Sequence, residues 1–184
     1  MRIIAGEARG RTLIAPSGNG TRPTQDYVRE SLFNILSTRL SGARVLDLFA
    51  GTGALALEAI SRGAEYAVLC DKDRAALSCI QKNIGVVRAE NRCRIFPGDY
   101  VTCIHALSGV ERFDLVFLDP PYRMENTGEI AGLLLDADLL LPGFLIVCEH
   151  RKGTFLANDR RFCKADRRLY GDTEITFLSS YEGE

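Results

Sequence analysis

The sequence predicts an α/β fold: a mostly parallel seven-stranded sheet with helices on both faces and an antiparallel hairpin at its C-terminal end. Three observations carry this. Apolar strand-like runs alternate with helix-period runs from Ala43 to His150. A glycine turn joins the first of those strands to its helix. Two strand-like runs flank Gly171-Asp172 near the end of the chain. Repeated strand–helix units imply parallel pairing, because each helix supplies the crossover.

Each element has its own signal. Arg2-Ile3-Ile4-Ala5 and Arg11-Thr12-Leu13-Ile14 read as two short strands joined by the stretch Gly6 to Gly10, a small β-hairpin extension. APSGNGTRPT is dense in turn residues. In TQDYVRESLFNILSTRL, the residues Tyr27, Val28, Leu32, Phe33, Ile35 and Leu36 fall mainly on one helix face. Pro23 marks its boundary, Thr24 fits the N-cap and Gly42 its end. ARVLDLF is a buried strand and ALALEAISRG a helix stopped by Gly63. YAVLCD is a strand and DRAALSCIQKNIG a helix stopped by Gly85. CRIFPGD and YVTCIHAL form the next pair, then FDLVFLD and NTGEIAGLLLDADLL, and GFLIVCEH is a further strand. RRFCKADRRLYG and DTEITFLSSY make the antiparallel hairpin at a sheet edge.

Composition narrows the class without naming it. A chain of 184 residues suits one domain with a small appendage. Hydrophobic residues at 46% and charged residues at 26% are ordinary for a globular protein with a full core. The six cysteines include no C-x-x-C pair and no zinc spacing with histidine, so no metal is expected and the thiols read as reduced. His105 and His150 read as structural or surface residues. No signal-peptide core and no run of ~18 apolar residues is present, so a cytoplasmic protein is expected.

VLDLFAGTGALALEA, from Val45 to Ala59, runs strand, glycine turn, helix. Gly51 and Gly53 permit a tight turn and close approach of a ligand to backbone, and the following helix offers free N–H groups. Asp71 ends the next strand, 20 residues after Gly51, where an acid can accept both hydroxyls of an adenosine ribose. That fits NAD or S-adenosylmethionine equally. Asp99, in IFPGDY, suits an adenine amino group, a helix N-cap, or both. Asp47 and Phe49 just before the turn, and the acid, prolines and tyrosine ending the fourth strand, lean away from NAD.

Those last residues are Asp119-Pro120-Pro121-Tyr122. Ligands of open α/β sheets bind at the carboxyl ends of strands. Prolines stiffen the segment and leave carbonyls as acceptors. A carboxylate and a rigid carbonyl can hold both hydrogens of an exocyclic amine, and Tyr122 gives a flat face for a base. Such a base must be unpaired or flipped out. Positioning then supplies most of the rate toward an electrophilic methyl.

LDLFAGTGALALEA and LDPPY together resemble amino-group methyltransferases that use S-adenosylmethionine. RIIAGEARGRTL, RPTQDYVRESLFNIL, EAISRGA and VFLDPPY extend the match along almost the whole chain, to the bacterial 16S ribosomal RNA guanine-N2 methyltransferase family, RsmD. The resemblance implies a Rossmann-like methyltransferase domain over 22–184 with a β-hairpin extension over 1–21. It implies methylation of a guanine N2 amine in 16S rRNA, within the small ribosomal subunit or a late assembly intermediate, by a monomer. By position Asp47, Phe49, Gly51 and Gly53 match the cofactor loop, Asp71 the ribose acid and Asp99 the adenine-side acid. Asp119, Pro120, Pro121 and Tyr122 match the catalytic clamp, and Arg22, Pro23 and Thr24 a stretch beside the cofactor's methionine end. The family often has Gly where Ala56 stands and Glu where Asp71 stands.

Charge is uneven. Residues 1–24 carry four Arg against one Glu, and 150–170 carry seven Lys and Arg against two Asp. Arg2, Arg9, Arg11 and Arg22 at the start, and Arg160 and Arg161 near the end, are the candidate phosphate contacts. Three other readings share part of the pattern. An adenine-N6 methyltransferase shares the cofactor loop and clamp, but for one acting on DNA the chain leaves little room for a recognition domain. An NAD-dependent oxidoreductase leaves Asp119 to Tyr122 unexplained. A non-catalytic ribosome assembly factor would have no use for an intact clamp.

Overall fold

Parallel strands need a crossover between them, and the chain supplies a helix each time. The computed structural model describes residues 1–15, 23–121, 124, 126–154 and 160–180, with the backbone alone at 23–25, 164 and 165. Helix α1 (Pro23–Ile35) leads through a 3-10 turn (Leu36–Arg39) to β1 (Arg44–Asp47). Then come α2 (Ala54–Ser61), β2 (Tyr66–Asp71), α3 (Arg74–Val87), β3 (Cys93–Pro97) and α4 (Tyr100–Leu107). They are followed by β4 (Phe113–Leu118), α5 (Thr127–Asp136), β5 (Leu140–Arg151), β6 (Phe162–Tyr170) and β7 (Thr173–Ser180). The seven strands form one sheet in the order β3-β2-β1-β4-β5-β7-β6. The first five pair in parallel, and β7 runs antiparallel to both β5 and β6. No helix among the described residues is long and apolar enough to cross a membrane.

Strand alternation builds two cores. Val45, Leu69, Phe117 and Val147 face Phe33, Leu57, Ile60 and Ile80 of α1, α2 and α3. Leu46, Val68, Leu118 and Cys148 face Ile104, Leu107, Ile130 and Leu134 of α4 and α5. The period of two therefore turns Asp47, Asp71, Asp119 and Glu149 to the α1–α3 side, each at the carboxyl end of its strand.

Several boundaries differ from the sequence-based expectation. Gly85 does not stop α3. The helix runs to Val87, and Arg88 ends it in the left-handed region at φ 59°, its N–H donating to the carbonyls of Ile84 and Gly85. The α-helix expected to reach Gly42 ends at Ile35, because the 3-10 turn takes over. Thr24 lies inside the first turn of α1, since Pro23 opens the helix. At the N-terminus the expected pair of strands is reduced to one antiparallel bridge, Arg2 to Thr12.

Tertiary contacts hold this first segment instead of a long ladder. Ile3, Ala8 and Leu13 are buried in the α1–α3 core. The buried Glu58 carboxylate accepts from Ile4 N (2.8 Å), Ala5 N (3.0 Å) and Arg62 Nε (2.7 Å). Ser61 Oγ donates to the Ala5 carbonyl at 2.6 Å and accepts from Ala8 N at 3.0 Å. Charge-assisted bonds of this kind are the strong ones, and breaking one strands a buried group.

Gly6 and Gly10 both sit at φ +82°, but only Gly6 is crowded: a Cβ there would lie 1.8 Å from the Ser61 carbonyl oxygen, whereas nothing lies within 4 Å at Gly10. Gly10→Ala should cost about 1 kcal/mol, and Gly6→Ala roughly 2–4 kcal/mol because backbone must also shift. Chemical denaturation of the two variants checks the difference.

Candidate active site

The site lies over the carboxyl ends of β1, β2, β4 and β5. β1 sits between β2 and β4, and the order reverses there, which opens a crevice at that edge. The loop after β1 is wound by Ala50 N to the Cys70 carbonyl (2.9 Å) and Gly53 N to the Ala50 carbonyl (2.6 Å). Gly51, at φ +55°, has no atom within 4 Å of where a Cβ would stand, so its backbone faces open space. Its N–H donates to Asp71 Oδ2 at 2.8 Å, and Asp73 N donates to Asp71 Oδ1 at 2.9 Å. Gly53 caps α2 from beneath Leu69 and Leu57.

Asn83, fully buried on α3, ties this loop to the N-terminal segment. Its Oδ1 accepts from Ile14 N (2.7 Å), and its Nδ2 donates to the carbonyls of Ile14 and Thr52 (both 2.9 Å).

Two cavities meet at this edge. One, of about 260 Å3, is lined by Arg29, Asp47, Gly51, Asp119, Glu149 and Tyr170 among others. The second, of about 400 Å3, is lined by Asp71, Asp99, Tyr100, Pro120, Pro121 and Met124 among others. Phe49, Gly51 and Asp119 belong to both. Phe49 packs on Tyr100 with ring centroids 5.5 Å apart. The Pro121 carbonyl accepts from Met124 N at 2.8 Å, while no described donor reaches that of Pro120.

Three carboxylates line the smaller cavity. Asp47 is 1% exposed, and neither carboxylate oxygen has a hydrogen-bond partner among the described residues. Burial pushes its carboxyl up to about 7 and nearby Asp71 adds to this; the N–H groups of Phe49 and Ala56 pull the other way without reaching hydrogen-bond geometry. Enclosure by protein raises the Asp119 carboxyl well above the ordinary range, and the charges of Glu149 and Asp47 add to it. Asp119 is nevertheless open to solvent at the cleft mouth, and water there screens the effect. Burial also raises the half-buried Glu149. Asp99 differs: it caps α4 by accepting from Thr102 N at 2.8 Å, and that bond lowers its carboxyl. Arg29, buried beside the acids, donates to the Arg2 carbonyl and, at 3.2 Å, to Asp26, leaving Nε without a partner among the described residues.

The structure thus gathers Asp47, Phe49, Gly51, Asp71, Asp99, Asp119, Pro120 and Pro121 around one cleft, with Gly53 just behind. Arg22 and Tyr122 lie outside the described residues, as do the side chains of Pro23 and Thr24, whose backbone opens α1. The arginines are dispersed. Arg2 and Arg9 are exposed, and Arg11 Nη1 donates to the Val86 carbonyl at 2.7 Å. Arg160 and Arg161 precede β6, whose first residue pairs with Ser180, so they stand at the sheet edge opposite the cleft. Arg161 there meets Asp136 at the end of α5. Arg167 and Arg168, further along β6, are nearer the cleft. Sequence reasoning missed Arg29, Asn83 and Glu149. Only Glu149 carried a readable signal: an acid ending the strand GFLIVCEH, by the same rule that singled out Asp71.

Asp47 generates a pH prediction. A carboxyl whose folded pKa exceeds its unfolded value keeps its proton in the native state where the unfolded chain has lost it. Native stability therefore falls as pH rises from about 4 to about 7 and levels off above, by an amount on the order of 4 kcal/mol. Asp47→Asn should remove that slope. Urea denaturation of ligand-free parent and variant across pH 4 to 8 checks it, through the difference between the two proteins.

The model of the Conserved hypothetical protein 95 family matches residues 1–179. Ribosomal RNA small subunit methyltransferase D of Escherichia coli K12 is 42% identical over 149 residues, covering 81% of this chain and 74% of its own. The solved structure of E. coli yhhF, described as a candidate methyltransferase, superposes with a TM-score of 0.87 at 32% identity over 98% of this chain and 97% of its own. SMU.776, a candidate methyltransferase in complex with SAH, shares the fold at a TM-score of 0.72 and 14% identity, over 86% of this chain and 50% of its own. With the glycine loop, the strand-end acids and the proline clamp on one sheet edge, and with these matches along nearly its full length, the chain belongs to the RsmD family of ribosomal RNA methyltransferases.

Proposed function

We propose that this protein transfers a methyl group from S-adenosylmethionine to the exocyclic N2 amine of a guanine in 16S rRNA. The observation that carries the reading is Asp119 opening onto both cavities at once, with Pro120 and Pro121 lining the larger. A group that orients an amine against a cofactor has to reach both.

The residues fit the cofactor. Asp47 is a buried carboxylate with no partner, suited to an ammonium group. The open space over Gly51 admits a ligand against backbone, and Asp71 is held in place for ribose hydroxyls. Phe49 and Tyr100 offer apolar walls for a purine, with Asp99 near its amino group. Arg22, Pro23 and Thr24 serve the methionine end. When bound, S-adenosylmethionine supplies an electrophilic methyl carried on sulfur. The protein's own work is to hold the target amine. Asp119 and the Pro120 carbonyl accept its two hydrogens and aim the nitrogen lone pair, and Tyr122 stacks on the base. The amine's spare proton leaves to water at the open mouth.

The substrate is an assembled small subunit or a late intermediate, met by a monomer. Residues 1–21 act as an extension on the methyltransferase domain 22–184, and Arg2, Arg9, Arg11, Arg22, Arg160 and Arg161 contribute phosphate contacts. Arg167 and Arg168, further along β6 and nearer the cleft, add to these contacts.

A tritiated-methyl transfer assay on unmodified small subunits, free rRNA and DNA tests the reading. N2-methylguanosine from subunits is the expected product. N6-methyladenine would instead assign the protein to the adenine-directed class, and cofactor binding without transfer to any substrate would assign it to assembly. Asp119→Ala should bind S-adenosylhomocysteine as the parent does while losing about 100-fold or more in turnover. Parent-like turnover would remove Asp119 from catalysis.

A further inference from the structure

Glu149 follows Cys148 on β5 as Asp119 follows Leu118 on β4. Leu118 and Cys148 are register partners in the parallel pair, so the two acids are neighbours on strands about 5 Å apart. Leu118 and Cys148 point into the core under α4 and α5, and alternation turns both acids the other way, into the cavity they line together. The Glu149 carboxyl has no hydrogen bond or ion pair among the described residues. The cation lining the same cavity, Arg29, is committed to the Arg2 carbonyl and Asp26. Apart from the Arg29 Nε, no described donor serves these two adjacent acceptors, and they suit a ligand that brings two adjacent donors.

The edge of guanine does this. Its N2 amine stands beside an N1–H, so both groups donate. Adenine places its amine beside a bare N1 lone pair. We propose that Glu149 accepts the N1–H of the target base while Asp119 accepts from the amine, and that this pairing selects guanine over adenine. The inference rests on the reading of Asp119 as the amine-orienting residue of an RNA methyltransferase.

The test replaces the target guanosine with 2,6-diaminopurine in reconstituted small subunits. That base keeps the N2 amine but has a lone pair at N1 and an amine in place of O6, so the Glu149 variants separate the N1 contact from the change at position 6. The parent protein should methylate it on the order of 100-fold more slowly than guanosine. Glu149→Gln can donate as well as accept. It should lose about tenfold on guanosine and narrow the preference to a few-fold. Glu149→Asp, which keeps the carboxylate, should retain the preference at a lower rate. Thermal unfolding verifies that each variant is folded. If Glu149→Gln keeps the parent's ratio of the two rates, or the parent itself shows no preference, the inference is overturned while the methyltransferase reading stands. If the parent transfers no methyl to guanosine subunits, that reading fails and this inference falls with it.

Discussion

The pairing of β1 with β4 is the contact on which the site depends. The register opposite Asp47 is Phe117, which holds the ends of the two strands level. The strand order turns around at that point, so the loop after β1 and the prolines after β4 face each other across a crevice. The glycine loop is braced from one side by Asp71 and from below by Asn83. Asn83 also fixes Ile14, so one buried amide sets both the loop and the end of the N-terminal segment. Shape at the cleft therefore follows from hydrogen bonds made in the body of the fold.

The same region departs from ordinary packing. A buried carboxylate without a partner is unfavourable, yet Asp47 has two such oxygens at the mouth of a cavity. Glu58, equally buried, has all it needs: two backbone N–H groups and an arginine. The contrast separates an acid that builds structure from one held ready for something else. Asp119, open to solvent, and half-buried Glu149 line the same cavity without such internal partners, and the surrounding cores, apolar on both sheet faces, supply the stability that tolerates the three acids.

Much of this was legible in the sequence. Strand runs separated by helix-period runs fixed the parallel sheet, because each signal is local. The glycine loop, Asp71 and the residues from Asp119 to Pro121 were legible for a related reason: the chemistry of a strand's carboxyl end is written in the few residues that follow it. Contacts between distant residues were not. Asn83 meets partners 31 and 69 positions away, and nothing in its own neighbourhood marks it. Glu149 gains meaning only beside Asp119, a pairing that depends on β5 lying next to β4. Helix ends were misread where a non-glycine residue took the left-handed conformation, as Arg88 does after α3. The placement of Arg160 and Arg161 depends on the direction of β6, which composition does not encode.

That direction bears on the form of the substrate. β6 runs for nine residues, so the arginines that precede it lie roughly 30 Å from the cleft edge. The screening length in physiological salt is about 8 Å, so charge at one edge is invisible from the other. A short single strand entering the cleft would gain nothing from the far arginines. A rigid, folded RNA surface could touch both edges of the sheet at once, and binding would then measure the spacing between two phosphate clusters as well as the base in the cleft. With the phosphate contacts proposed above, such an enzyme would recognise architecture before it recognises a nucleotide.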